Sequence, residues 1–386
     1  MKTVHQIIFS DSKNMRDVPD ESVDLVVTSP PYPMIEMWDR IFAKQNPNIG
    51  KAFKNNDGPA VFEFMHQELD RVWDETYRVL KNGGIICINI GDATRTIDGN
   101  FALYPNHSRI LRYFLKLRMS SLPAIIWRKQ TNAPNKFMGS GMLAPGAYVT
   151  LEHEYILILR KGAKREFTSP EEKSLRRESA FFWEERNAWF SDIWFDLKGT
   201  TQDLNNDKMR QRSAAYPFEL PYRLINMFSI KHDTVLDPFL GLGTTTLAAM
   251  TAGRNSIGFE IDQAFMDAVK SRTDTLIQIS NQCIRERIKN HMDFVKARFE
   301  EKGAFKYRNR YYQFPVMTNQ ETALLINKVS DVQNAEENIF EIHYSSEPQK
   351  EFHKNWNDFF ISEGKKPSTN NRKSKQIENI PIQLKL

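Results

Sequence analysis

The sequence predicts an α/β fold, a mostly parallel sheet with helices on both faces, and three observations predict it. Residues 1–160 alternate short β-branched runs with stretches of helical spacing. That alternation breaks at about 160 and resumes at about 218. A strand–turn–helix segment then follows, Thr234-Val-Leu-Asp-Pro-Phe-Leu-Gly-Leu-Gly-Thr-Thr-Thr-Leu-Ala-Ala249, with Gly-x-Gly at its turn. At 386 residues the chain has room for one large domain or two smaller ones.

The elements follow in order. His5–Phe9 reads as a short strand, followed by Asp11. Ser22–Val27 is the next strand and runs into Thr28-Ser-Pro-Pro-Tyr-Pro33. Pro30 and Pro31 fix φ and cannot continue a ladder, so the backbone leaves the sheet stiffly there. Taken alone, this is an ordinary strand exit. Residues 34–59 read as loop, broken by Gly50, Asn55, Asn56, Asp57 and Gly58. Phe62, Met65, Leu69, Val72, Trp73, Tyr77 and Leu80 have helical spacing, and Asn82-Gly83-Gly84 is a stop signal. Gly84–Ile90 is a buried strand ending in Gly91-Asp92. A helix over His107–Leu117 and strands at Leu122–Trp127 and Glu154–Leu159 complete this part.

From 160 to 178 the chain is basic, and from 181 to 195 it is aromatic: Phe181, Phe182, Trp183, Trp189, Phe190, Trp194 and Phe195. Taken alone, the first reads as a solvated loop and the second as a small local core. A helix with Leu224, Ile225 and Phe228 inward precedes the strand at 234. Beyond 263 a long helical stretch rich in Lys and Arg ends at Gly303. The short aromatic segments of 304–362 suggest a small added module, and the polar, basic end reads as disordered.

Hydrophobic residues at 40% and charged residues at 26% are ordinary for a soluble protein. The N-terminus lacks a signal-peptide core and no apolar run reaches spanning length. With only Cys87 and Cys283, neither a disulfide scaffold nor a cysteine-based zinc site is expected, and no metal site is assigned. A reducing, cytoplasmic setting without membrane attachment is the expectation. The net charge of +5 permits a nucleic-acid partner without requiring one.

The segment 234–262 carries the first chemistry. Glycines at 241 and 243 let a ligand approach the backbone, and the helix N-terminus offers free N–H groups to an anion. Glu260, about twenty residues on, is placed to accept hydrogen bonds from ribose hydroxyls. A nucleoside-bearing ligand is therefore expected. No Gly-Lys-Ser/Thr follows the glycines, which disfavours a bound phosphate chain. Thr246 stands where the dinucleotide fingerprint has its third glycine. S-adenosyl-L-methionine is the remaining common choice.

Asp-Pro-Phe-x-Gly-x-Gly-Thr-Thr at 237–245, together with Thr-Ser-Pro-Pro-Tyr at 28–32, resembles the DNA amino-methyltransferases. The order, catalytic motif first and cofactor motif late, resembles their β group. The resemblance covers roughly residues 5–262. It implies a circularly permuted, seven-strand Rossmann-like methyltransferase fold with an inserted recognition region and a C-terminal extension. The implied divisions are a catalytic half at 1–160, a target-recognition insertion at 161–212, a cofactor-binding half at 213–262, an extension at 263–362 and a disordered tail at 363–386. Catalytic roles fall on Ser29, Pro30, Pro31 and Tyr32. Ser29 and the Pro30 carbonyl would accept hydrogen bonds from the target amino group, and Tyr32 would stack on a base turned out of double-stranded DNA. Cofactor roles fall on Asp11, Pro217, Phe218, Asp237, Pro238, Phe239, Gly241, Gly243, Thr244 and Glu260. Trp127 resembles a second aromatic of the base pocket. Asn132, Asn135 and Lys136 could line the DNA side. Ala-Ala-Tyr precedes Pro217 where many relatives carry a histidine.

Ser rather than Asp before Pro-Pro-Tyr leans toward N4 of cytosine, with N6 of adenine as the alternative. C5 methylation needs a thiolate in a Pro-Cys setting, which neither cysteine has. An RNA or protein methyltransferase, and a binding module that has lost catalysis, are the other readings. A homodimer and a cognate restriction endonuclease are partners the resemblance allows.

Overall fold

The structure is a computed structural model and describes residues 1–129, 138–197 and 216–360. The expected elements of the first part form as β1 (Lys2–Ile8), β2 (Val23–Thr28), α3 (Gly58–Val79), β3 (Leu80–Ile90), α4 (Asn106–Lys116), β6 (Ser120–Arg128) and β9 (His153–Arg160). The stretch expected to be loop instead holds two helices, α1 (Asp39–Gln45) and α2 (Pro47–Lys54). Asn46 caps the second, its side chain accepting from the Asn48 N–H, and Pro47 starts it. That cap is a start signal the glycine and asparagines around it obscure. Two small hairpins rise beside these strands: β4 (Ala93–Ile97) with β5 (Asn100–Tyr104), and β7 (Met138–Gly139) with β8 (Ala147–Tyr148).

The second part contains α5 (Pro170–Glu178), α6 (Trp183–Trp189), β10 (Ile193–Trp194), α7 (Glu219–Phe228), β11 (Thr234–Asp237), α8 (Thr244–Ala252) and β12 (Asn255–Phe259). The extension adds α9 (Met266–Asp274), α10 (Leu276–Lys302), the ribbon β13 (Tyr307–Arg308) with β14 (Pro315–Val316), and the hairpin β15 (Val329–Glu336) with β16 (Ile339–Tyr344).

The main sheet runs β10-β6-β9-β3-β2-β11-β12-β1-β16-β15. Its centre, β3-β2-β11-β12-β1, is wholly parallel. Every residue of β2 is buried, as a central parallel strand covered on both faces requires. From β2 the chain moves outward to β3; from β11 it moves the other way to β12. The crevice between the C-terminal ends of β2 and β11 is thus the switch point where open α/β sheets bind ligands.

Two sequence readings change here. The segment 304–362 is not one added module. β16 pairs antiparallel with β1 and so widens the main sheet. The remaining aromatics, including Phe305, Tyr312, Phe314 and Trp356, pack with α10. The aromatic run after 181 serves the same packing. Phe182 is fully buried and stacks on His291 of α10 at 3.8 Å, while Glu185 holds Arg287 of α10 at 2.5 and 2.8 Å. The tail from 361 and Asn132, Asn135 and Lys136 lie outside the described residues. Among the described residues no helix is long and apolar enough to cross a membrane.

Candidate active site

The chain leaves β2 at Thr28 and turns through Ser29-Pro-Pro-Tyr-Pro33. What holds this loop comes from distant parts of the sequence. Asn106, the first residue of α4, donates its amide to the carbonyls of Pro33 and Gly91 at 3.1 and 3.0 Å. His66 on α3 fixes that amide, its Nε2 lying 3.0 Å from the Asn106 Oδ1. Burial lowers the His66 pKa to about 3, so the imidazole is neutral and donates to that oxygen. The Tyr32 ring passes so close to Gly91 that a Cβ there would come within 3.0 Å of it.

The Tyr32 hydroxyl donates to Glu154 Oε2 at 2.9 Å and accepts from Asn89 Nδ2 at 2.9 Å. Ser29 Oγ donates to the same hydroxyl at 3.2 Å. Asn89 and Lys129 also bind the Glu154 carboxylate, at 2.6 and 2.9 Å. Burial, and then the Glu154 charge, push the Tyr32 phenol well above its ordinary range, so its proton stays on. Ser29, with its own hydrogen directed to Tyr32, keeps its lone pairs free to accept. Neither Glu154 nor Asn89 carries a local motif. The only signal is that both sit at strand ends beside Pro-Pro-Tyr.

Asp237, at the end of β11, joins this loop to the glycine turn. Its carboxylate accepts from Thr28 Oγ1 at 2.6 Å, Thr245 Oγ1 at 2.5 Å and the Phe239 N–H at 3.1 Å. Tyr216 hydrogen-bonds Thr245 and reaches Asp237 at 3.4 Å. Burial raises the Asp237 pKa, and these donors oppose that rise. The aspartate is thus a buried joint between β2, β11 and α8.

On the other side of the cleft Gly241 and Gly243 take φ of 54° and 77°, the left-handed region open to glycine. A Cβ on Gly241 would meet no protein atom, because that position faces the cleft. Gly243 caps α8 and does not line the cleft. Glu260 is held by both oxygens, from the N–H groups of Gly241 at 2.8 Å and Asp262 at 2.9 Å, and burial raises its pKa. Asp11, Ser29, Pro30, Pro31, Asp237, Pro238, Phe239, Gly241, Thr244 and Glu260 all line this one cleft, so the structure brings together most of the residues the sequence singled out.

Three assignments come out differently. Trp127 is 1% exposed, belongs to the core and donates from Nε1 to the Leu197 carbonyl at 2.9 Å. It flanks the Glu154 network, with Lys129 Nζ 5.5 Å from its ring centre, but no face is open to a base. Pro217 and Phe218 lie outside the cleft lining; Phe218 stacks on Tyr222, and their neighbour Tyr216 takes the place at the cleft. Lys161 and Arg165, from the basic run, lie at the opposite ends of the central strands from the cleft. Lys161 donates to the carbonyls of Tyr77 and Leu80, and Arg165 binds Asp233 at 2.8 Å, just before β11 begins. Among the described residues, 138–152, before β9, and 195–197, after β10, follow or precede strand ends on the cleft side. Residues 198–212 of the expected recognition insertion lie outside the described residues.

Comparison with known proteins agrees with this geometry. Residues 23–271 match the N6/N4 methyltransferase family, described as DNA methylase. The type II methyltransferase M.MthZI of Methanothermobacter thermautotrophicus is 52% identical over 91% of this chain and 98% of its own length. M.MjaI of Methanocaldococcus jannaschii is 51% identical over 70% of this chain and 91% of its own. A Thermus thermophilus protein described as a putative DNA modification methylase, solved with S-adenosyl-L-methionine, superposes with a TM-score of 0.55 at 32% identity, over 70% of this chain and 95% of that one. The matched residues take in both the Pro-Pro-Tyr loop and the glycine turn, and this chain is therefore a member of the N6/N4 DNA methylase family.

Proposed function

We propose that the chain methylates the exocyclic N4 of cytosine in duplex DNA, as the modification enzyme of a type II restriction-modification system. The observation that carries this is Ser29 on the same cleft as Gly241 and Glu260. A hydroxyl, not a carboxylate, is presented to the target amine. The relatives named type II methyltransferases support the biological setting.

S-adenosyl-L-methionine, the cofactor, supplies an electrophilic methyl group on sulfur. The residues present fit it. Gly241 leaves the space a side chain would fill, and Glu260 stands beside it to take ribose hydroxyls. Asp11 lines the same cleft for the adenine amino group, and Thr244 opens the helix whose N-terminus suits the methionine carboxylate.

An amino group conjugated to a ring is a weak nucleophile. Ser29 Oγ and the Pro30 carbonyl accept its hydrogens and turn its lone pair toward the methyl carbon. Taking up a methyl group would leave the amine nitrogen cationic, its displaced bond pair remaining with the cofactor's sulfur. The Ser29–Tyr32–Glu154 chain, with Lys129 paired to the Glu154 carboxylate behind it, holds a Ser29 lone pair toward that cation from a preorganised, partly buried network. The surplus proton then leaves to solvent. A base can reach Ser29 only out of the stack, and Tyr32 offers the ring against which it rests.

Expression in a host without DNA methylation, followed by sequencing that separates modified cytosine from modified adenine, tests the assignment. N4-methylcytosine at one short site is expected; N6-methyladenine would move the target to the alternative. Ser29→Ala should abolish the mark while the protein still melts as the wild type does.

A further inference from the structure

The arm formed by β7 and β8 stands on the cleft side of the sheet, between the end of β6 and the start of β9. From Met138 to Leu151 it has no Lys, Arg, Asp or Glu. Its tip nevertheless carries large apolar side chains in the open: Met142 is 83% exposed and Leu143 73% exposed. The tip is a closed turn. The Ser140 N–H donates to the Gly146 carbonyl at 2.9 Å, and the Ser140 hydroxyl bonds the Leu143 carbonyl. Gly139 takes φ of 72°, and any Cβ there would collide with the Gly146 carbonyl. Tyr148 stacks on Phe101 of the β4–β5 hairpin, ring centres 4.4 Å apart and 11° from parallel. That hairpin follows Gly91, against which the Tyr32 ring lies. The exposed pair is therefore fixed to the frame that holds the base-side loop.

We propose that Met142 and Leu143 enter the base stack and fill the gap left by the turned-out base. The inference rests on the reading that the substrate is duplex DNA. An uncharged tip offers phosphates no cation, whereas apolar side chains replace the stacking that a vacated position loses. At the foot of the arm Arg128 is half exposed and paired with Glu152 at 3.3 Å, so charge is confined to the base of the arm and absent from its tip. A wedge of this kind lengthens the life of the extruded state. Its value is therefore greatest when the target is fully paired and least when pairing is already broken.

The test compares kcat/KM on two synthetic duplexes carrying the mapped methylation site, one fully paired and one with the target base mispaired. For Met142→Ala/Leu143→Ala the paired duplex should lose about 10- to 100-fold and the mispaired one less than about threefold. Restoring bulk with Leu143→Phe in the Met142→Ala background should recover most of the paired rate. An equal loss on both duplexes, or no loss on either, overturns the wedge alone. If mapping finds no methylated base in DNA, the proposed function is overturned and the wedge with it.

Discussion

On the cofactor side of the cleft all parts but Asp11 are neighbours in sequence: β11, the turn at Gly241 and Gly243, α8, β12 and Glu260 follow one another without a break. On the base side the Tyr32 loop is held by Asn89, Asn106, Glu154 and His66, each from a different element. The cofactor side is a local device, and its motif names its chemistry. The base side is a tertiary device in which two prolines supply stiffness and the rest of the chain supplies aim. Asp237 links the two, bonding Thr28 of the loop strand and Thr245 of the cofactor helix.

If the sides are separable in this way, substitutions should split between cofactor affinity and turnover. The largest effect is expected for Gly241→Val. It strains a φ of 54° and fills the cleft, so cofactor affinity by calorimetry should fall by about 100-fold, about 3 kcal/mol, or more. Glu154→Gln keeps the shape and removes the charge. Turnover should fall about 10- to 100-fold with the cofactor Kd unchanged; a parallel loss of cofactor binding would break the comparison.

Acid should weaken both sides. His5 on β1 bonds Ser256 of β12 at 2.8 Å, His66 holds Asn106 beneath the Tyr32 loop, and burial lowers each to about 3 from 6.5. Between those values the unfolded chain binds protons that the folded chain refuses. Stability is therefore present above pH 6.5 and is lost as pH falls toward 3, by up to about 1.4 kcal/mol per histidine per unit. Melting temperature against pH measures this, and His66→Gln should remove only the base-side share. The smallest effect belongs to Trp127→Phe. Losing the bond to the Leu197 carbonyl should cost about 1 kcal/mol in urea unfolding and leave turnover within about twofold. A turnover loss far beyond the stability loss would return Trp127 to the base pocket.

The same contrast explains what the sequence disclosed. Gly241, Glu260 and Asp11 were legible because each sits at a fixed offset from a strand end. Tyr32 was legible as a residue, but not its partner Glu154, which is 122 positions away and meets it only through the β3–β9–β6 pairing. Trp127 looked like a pocket aromatic because sequence cannot say which side of a sheet is covered. The basic run after 160 falls in the recognition insertion that the resemblance implies, yet Lys161 and Arg165 bind groups at the far ends of the central strands. The aromatic run after 181 was half legible as core; its partner α10, about a hundred residues later, was not.

The central claim is that one cleft brings a sulfonium methyl to an amine held by Ser29 and Pro30. Incubating duplex DNA containing the mapped site with methyl-labelled S-adenosyl-L-methionine, then digesting it to nucleosides, tests this most directly. Label in N4-methylcytosine is expected for the wild type and none for Ser29→Ala. Label in 5-methylcytosine, in RNA or in protein with DNA left unlabelled, or undiminished transfer by Ser29→Ala, would contradict it.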